Sequence, residues 1–236
     1  MSMDRRRFLT LGGVSLAALA LEGCNSKGPE SARGVLRWAE RRNEEVERVL
    51  FRHTVMDDPE SPALAGRAMP AYFISPRVPV WDEAARGPWA LEVTGAVARP
   101  LRLTRDQLAR LPAVTQRINH YCVEGWTAVT TFTGVRVSTL ARMAGVRGDA
   151  GYVDFESFDS GYHESWDLES AMHPQTLVAY AREGRFLDAR YGAPARVHSP
   201  VKLGYKNTKY LTRVVFLPQR TGGYWSDRGY EWYGGT

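Results

Sequence analysis

Over residues 32–51 the apolar side chains Val35, Leu36, Trp38, Val46, Val49 and Leu50 are interspersed with Arg and Glu, a spacing that predicts an amphipathic helix with Ser31 as its N-cap. Beyond Ala71 the pattern changes to short apolar runs. Residues 89–97 (Trp-Ala-Leu-Glu-Val-Thr-Gly-Ala-Val) read as a strand and 104–110 as a short helix capped by Thr104. Ala113–Tyr121 is strand-like and delivers Cys122 at its end. Val137–Ala144 is expected to be helical, Tyr152–Ser157 a strand, and Leu168–Met172 a helical turn stopped by Pro174. Residues 178–180 and 196–199 are short strands, and 210–217 (Tyr-Leu-Thr-Arg-Val-Val-Phe-Leu) is the longest late strand. Strands and helices alternate irregularly, with neither a βαβ period nor a repeat. The expected class is α+β, with a β-rich mixed core and short helices in a single domain.

Residues 1–23 carry a processing signal rather than fold. Asp4-Arg5-Arg6-Arg7-Phe8-Leu9-Thr10 is a twin-arginine pattern, followed by an apolar stretch over 11–21. That stretch falls short of the roughly 20 residues that span a bilayer. Leu21-Glu22-Gly23-Cys24 resembles a lipoprotein cleavage box with the lipid on Cys24. Residues 24–70 are expected to form a tether, the amphipathic helix and a loop, and residues 71–236 the functional domain. The twin-arginine route exports proteins already folded, often around a cofactor. The expected location is the periplasm or the outer face of the cytoplasmic membrane, held there by the N-terminal lipid.

A formal charge of +5 over 236 residues, with no basic run interleaved with aromatics, gives no nucleic-acid surface. The chain has no Gly-x-Ser-x-Gly, no phosphate-cradling Gly-x-x-x-x-Gly-Lys-Ser/Thr and no His-Glu-x-x-His. Its five histidines lack zinc-ligand spacing, and no Cys-x-x-Cys-His offers covalent haem attachment. Two cysteines are present, and lipid on Cys24 leaves Cys122 without a cysteine partner. Cys122 lies in Asn119-His120-Tyr121-Cys122-Val123-Glu124-Gly125-Trp126. Three readings are open at this point: a buried inert thiol, a nucleophile paired with His120, or a soft thiolate ligand to a metal whose other ligands come from an organic cofactor. By itself Glu124 reads as a structural acceptor, Trp126 as core, and His173-Pro174 as a turn.

His120 to Trp126 resembles the cysteine motif of the sulfite oxidase family's molybdopterin-binding domain, and four further segments match that family in order. They are Phe132-Thr133-Gly134-Val135 with Val137 and Leu140, then Ala171 to Thr176, then Tyr191 to Arg196 with Lys202 to Lys209, then Trp225 to Tyr230. The resemblance spans residues 71–235 and is closest to small exported bacterial members related to periplasmic methionine-sulfoxide reductase catalytic subunits. It implies the sulfite-oxidase-type fold and molybdenum with a single molybdopterin, Cys122 being the protein's metal ligand. A coordinating thiol is deprotonated by the metal. The resemblance also implies that Arg196, Lys209 and the backbone N–H groups of Asn207 and Thr208 hold the cofactor phosphate. Ser157, Ile74 and Ser75 fall at further cofactor positions, as does Tyr191, where better-known members have Asn or His. Tyr230 aligns with a tyrosine on the substrate side of the metal.

Two departures bear on substrate. Ser75 stands where sulfite oxidases carry an arginine suited to an anionic substrate, with Arg77 nearby. No dimerising immunoglobulin-like domain follows, so a monomer is expected. The resulting expectation is oxygen-atom transfer in the cell envelope, reducing an S- or N-oxide such as free or protein-bound methionine sulfoxide. Tyr230, His163 and Ser75 would orient the substrate, and electrons would come from a membrane b-type or periplasmic c-type cytochrome. Sulfite oxidation is the alternative reaction. The alternative of another class is a non-catalytic envelope lipoprotein that uses the fold as a binding module.

Overall fold

The computed structural model describes residues 32–51, 55, 69–159 and 161–236. The twin-arginine segment, Cys24, the tether, the Ser31 cap and most of the loop before Pro70 lie outside the described residues. The described residues divide into two compact units between Leu50 and Phe51. Among the described residues no helix is long and apolar enough to cross a membrane.

In the first unit the helix α1 (Arg33–Leu50) forms where the amphipathic spacing predicts it. Arg42 pairs with Glu45 at 2.6 Å and Arg48 with Glu44 at 2.7 Å, each about one turn apart, which favours the helix by roughly 0.3 kcal/mol per pair.

The second unit contains the short helix α2 (Glu83–Arg86), then β1 (Ala90–Gly95), β2 (Leu101–Thr104) and α3 (Arg105–Ala109). The hairpin β3 (Ala113–Tyr121) and β4 (Thr127–Arg136) follows, then α4 (Val137–Ala144), β5 (Tyr152–Ser157), β6 (His163–Asp167) and α5 (Leu168–Met172). The chain ends with β7 (Leu177–Arg182), β8 (Arg185–Phe186), β9 (Arg196–His198) and β10 (Leu211–Leu217), followed by a C-terminal segment with one short 3₁₀ turn, Ser226–Arg228. One sheet has the order β2-β1-β10-β5-β6, in which only β1 and β10 run parallel. The other has the order β3-β4-β7-β8, with β9 also on β7. This is the expected α+β class.

Local chemistry explains several elements. Thr104 and Gln107 form a reciprocal capping box at the start of α3, and Asp167 caps α5 through the Ser170 N–H at 2.8 Å. α4 buries Val137, Leu140, Ala141 and Ala144 and packs against β1, β4 and α5. With Leu91, Val93, Phe155, Trp166, Val214 and Phe216 it forms the main core. Full burial of one such leucine or phenylalanine is worth about 1.5–3 kcal/mol. A smaller cluster of Met69, Ala128, Phe132, Ala179 and Leu187 lies against the second sheet, near the site.

The pattern of apolar positions does not predict β2, β4, β6 or β8. In β4 the inward positions include Thr130, and the opposite face carries Thr127, Thr131 and Thr133. In β6 the buried residues are Glu164, Ser165, Trp166 and Asp167, so three of the four are polar. Their charges are matched by lysines far along the chain: Lys206 lies 2.8 Å from Glu164, and Lys202 lies 2.9 Å from Asp167.

Candidate functional site

The turn between β3 and β4 fixes Cys122. Its N–H donates to Trp126 O at 2.9 Å, and its carbonyl accepts from Gly125 N at 3.0 Å. The thiol is half-buried and free, and it faces a cavity of about 310 Å³. Four parts of the chain wall this cavity: residues 69–74 before β1, the β3–β4 turn, the loop 157–162 after β5, and the loop 204–210. Arg196 from β9 and Trp225 and Tyr230 from the C-terminal segment complete it.

Among the described residues no hydrogen bond joins Cys122 to His120 as a Cys–His nucleophile would require. His120 is 4% exposed and held neutral, its pKa far below the ordinary value because of burial and then the charges of Arg196 and Lys209. Burial also raises the Cys122 thiol, the opposite of an activated nucleophile. A metal ligand is different, because a bound metal deprotonates the thiol directly. Among the described residues no three His, Cys, Asp or Glu side chains converge as a metal-binding group. Cys122 can thus serve as a single protein ligand to a metal that brings its other ligands with it.

Arg196 and Lys209 are the cations that line the cavity, since His120 is neutral. Arg196 is fully buried and donates to the carbonyls of Val197, Tyr191 and Asn207 at 3.1–3.3 Å. Lys209 donates to Tyr72 O at 2.6 Å. Among the described residues neither meets a carboxylate in an ion pair. Burial lowers Arg196 to about 10 and Lys209 to about 7, and the Arg196 charge adds to the depression of Lys209. A fully buried and a half-buried cation side by side on the cavity wall fit an anionic group such as a cofactor phosphate. The chemistry of the donor set (one thiol, two cations) therefore fits a phosphorylated dithiolene cofactor.

Seven residues singled out from sequence line the cavity: Ile74, Cys122, Ser157, Arg196, Asn207, Lys209 and Tyr230. Others go elsewhere. Ser75 turns its hydroxyl to Asp159 Oδ1, beside the Ile74 N–H on Asp159 Oδ2 at 3.2 Å, and does not face the cavity. Arg77 is exposed and does not replace the missing arginine. The Tyr191 hydroxyl donates to Met69 O at 3.0 Å while Arg182 lies over its ring at 4.1 Å, so Tyr191 supports the wall from behind. His163 is also displaced from its expected place. It sits on β6 with Nδ1 3.0 Å from Asp154, and that hydrogen bond raises its pKa.

The expected cradle of backbone amides is also corrected. The Asn207 N–H donates to Gly204 O at 3.1 Å and the Thr208 N–H to Lys206 O at 3.0 Å, so the turn uses both donors internally. Asn207 acts through its side chain instead. Its Oδ1 accepts from Ser199 N at 2.7 Å, and its Nδ2 donates to Lys202 O and Leu203 O at 3.0 Å each, which pins the loop. Thr208 is fully buried away from the cavity.

The mouth is aromatic. Tyr72 stacks on Trp126 at 6.1 Å, and Trp225 and Tyr230 meet at 4.9 Å. Trp126 packs against the smaller apolar cluster, as its reading as core implies, and also walls the cavity, where its indole donates to Glu124 Oε2 at 3.0 Å. Sequence reasoning also missed Asp159, Tyr162 and Tyr205. Only the fold brings these to the cavity, although the density of tyrosine and tryptophan after residue 204 was a visible signal.

Residues 77–225 match the family described as oxidoreductase molybdopterin binding domain. A chain of Azospira oryzae named as a protein-methionine-sulfoxide reductase subunit, YedZ1, is 38% identical over 233 residues, covering 98% of this chain and 86% of that one. The protein-methionine-sulfoxide reductase catalytic subunit MsrP of Gluconobacter oxydans is 35% identical over 164 residues, 62% of this chain and 53% of that relative. Among solved structures, the sulfane dehydrogenase SoxCD of Paracoccus pantotrophus shares the fold, with a TM-score of 0.53 at 23% identity over 56% of this chain and 38% of that one.

Proposed function

The chain belongs to the oxidoreductase molybdopterin binding domain family and is a molybdopterin-dependent oxidoreductase, and from that premise we propose that it reduces an uncharged S-oxide such as methionine sulfoxide. The observation that carries this reading is the charge layout of the cavity. Its cations, Arg196 and Lys209, are suited to the cofactor anion, and the mouth offers aromatic rings and the carboxylate of Glu124. Ser75 holds Asp159 rather than presenting a cation. An anionic substrate such as sulfite finds no counter-charge there, while an apolar thioether with a polar S=O suits the aromatic rim. The names of the relatives point to the same substrate class.

When bound, the cofactor supplies two-electron oxygen-atom transfer at molybdenum. The balance is sulfoxide plus two electrons and two protons giving thioether plus water. Cys122 anchors the metal, and Arg196 and Lys209 neutralise the phosphate. Asn207 holds the loop that carries Lys209, and Ser157 and Ile74 line the same cavity. Tyr72, Trp126, Trp225 and Tyr230 hold the substrate's apolar body and narrow the entry of water. The electrons come from outside the chain, and a membrane b-type or periplasmic c-type cytochrome is the proposed donor. Export by the twin-arginine route and a lipid on Cys24 would place the enzyme on the periplasmic side, beside such a donor.

The test is steady-state turnover on sulfoxides and N-oxides with a reduced dye, set against ferricyanide reduction with sulfite. Sulfoxide reduction at least a hundredfold more efficient than sulfite oxidation is the expected result. Faster sulfite turnover overturns the proposal.

A further inference from the structure

The loop 202–209 and the C-terminal segment 221–236 meet on one buried carboxylate that the cavity itself does not use. Glu164, on the edge strand β6, is 0% exposed. Its Oε2 accepts from the Lys206 ammonium at 2.8 Å and the Ser226 hydroxyl at 3.1 Å, and its Oε1 accepts from the Trp225 N–H at 2.9 Å. The segment follows β6 through a bridge between Glu164 and Gly223. A Cβ at Gly223 would stand 2.2 Å from Glu164 Oε2, so only glycine leaves room for the carboxylate. One carboxylate thus holds the residue that carries the Trp225 wall and, through Lys206, the loop that carries Lys209.

A buried ion pair is rarely a better source of stability than apolar side chains of the same volume. Here both partners are fully buried, and burial pulls the Lys206 pKa down while Glu164 pushes it up. Breaking the contact from either side leaves a charge in the core. A loop that is not seated withdraws Lys206, and Glu164 is then buried without its counter-charge. The segment that covers Glu164 is then the part free to loosen, because it is strand-paired only at isolated bridges.

We propose that Glu164 is a positioning residue for the aromatic wall formed by Trp225 and Tyr230, and that Lys206 makes the seating of that wall depend on the seating of the cofactor loop. This rests on the reading of Lys209 as a cofactor contact and of Trp225 and Tyr230 as the substrate wall. The consequence is an order of assembly: the substrate side of the cavity is completed only once the cofactor side is filled.

The experiment compares amide hydrogen exchange over residues 223–230 in molybdenum-loaded protein and in protein from a host that cannot make molybdopterin. Exchange about tenfold slower in the loaded protein is expected. The double variant Glu164→Leu/Lys206→Met removes both charges at similar volume and, with them, the acceptor of the Trp225 N–H and the Ser226 hydroxyl. In it the loaded and cofactor-free forms should exchange alike, and the KM for sulfoxide should rise about tenfold while kcat and molybdenum content stay near wild type. Equal exchange in the two wild-type forms overturns the proposal, as does a double variant that keeps the difference. The wild-type comparison is decisive by itself should the double variant fail to fold. The exchange readout needs no substrate, so failure of the coupling and failure of the sulfoxide reading are separable.

Discussion

Gly204 closes on His120 so tightly that a Cβ in its place would stand 2.8 Å from His120 Nε2 and 3.2 Å from the Tyr121 carbonyl oxygen. The imidazole cannot yield, because its ring lies 5.5 Å from that of His198 on one side and 5.9 Å from Trp126 on another. Gly204→Ala is therefore expected to push the loop carrying Lys209 away from β3. The stability cost should be about 1–3 kcal/mol, as for overpacking elsewhere in protein cores. Molybdenum per purified chain, measured by elemental mass spectrometry, should fall below half of wild type. Gly148→Ala, where nothing lies within 4 Å, is the control and should change neither quantity.

Two lysines whose pKa burial lowers, Lys202 and Lys209, give a pH dependence whose sign is fixed. An unfolded lysine keeps its proton to about pH 10.4. In the folded chain, burial lowers Lys209 to about 7 and Lys202 to about 8. Below pH 7 both are protonated in both states, and the full cost of burying them is present. As pH rises past 7 the unfolded chain binds more protons than the folded one, so stability rises. The cofactor-free protein should therefore melt at higher temperature at pH 8.5 than at pH 6.5, as followed by calorimetry. Lys209→Met should flatten that slope. Loaded wild type should flatten it too, since a bound phosphate restores the Lys209 charge.

How much of this was legible in the sequence depended on whether the information was local. α4 and β5 were legible because their apolar spacing matches their burial. β6 was not, because its inward residues include Glu164 and Asp167, which are satisfied by lysines 42 and 35 residues away. The site divides in the same way. Cys122, Arg196 and Lys209 stood out because short motifs carry them in order. Asp159 and Tyr162 reach the cavity only through the fold. The amides of Asn207 and Thr208 were misassigned because the letters do not reveal a turn that uses its own donors.

Cys122→Ser replaces a soft, acidifiable ligand by a hard hydroxyl of nearly the same size. The backbone of Cys122, Gly125 and Trp126 holds the turn, and a serine hydroxyl can take over the side chain's own contacts with the Val123 and Glu124 backbone. The variant is expected to fold with a melting temperature within about 3 °C of cofactor-free wild type, as surface-proximal isosteric changes do. Its molybdenum content should be below a tenth of wild type. Wild-type molybdenum content in Cys122→Ser would remove the thiolate from the metal site.

Lys202 shows how costly one half of a buried pair is. Its ammonium lies 2.9 Å from Asp167 Oδ1, 2.7 Å from Tyr233 O and 3.3 Å above the Tyr233 ring, with both charged side chains fully buried. Burial pushes the Asp167 carboxyl up, but Lys202 and the Ser170 N–H outweigh it and leave the pKa below the usual value. Lys202→Met strands that carboxylate in the core and should cost about 3–5 kcal/mol. Lys202→Met/Asp167→Asn keeps an oxygen to cap α5 while removing the stranded charge, so it should recover all but about 1–2 kcal/mol. Urea titration of the cofactor-free proteins measures both without linkage to ligand binding. If the double variant is no more stable than the single one, the loss lies in the Tyr233 contacts of Lys202 rather than in the charge of Asp167.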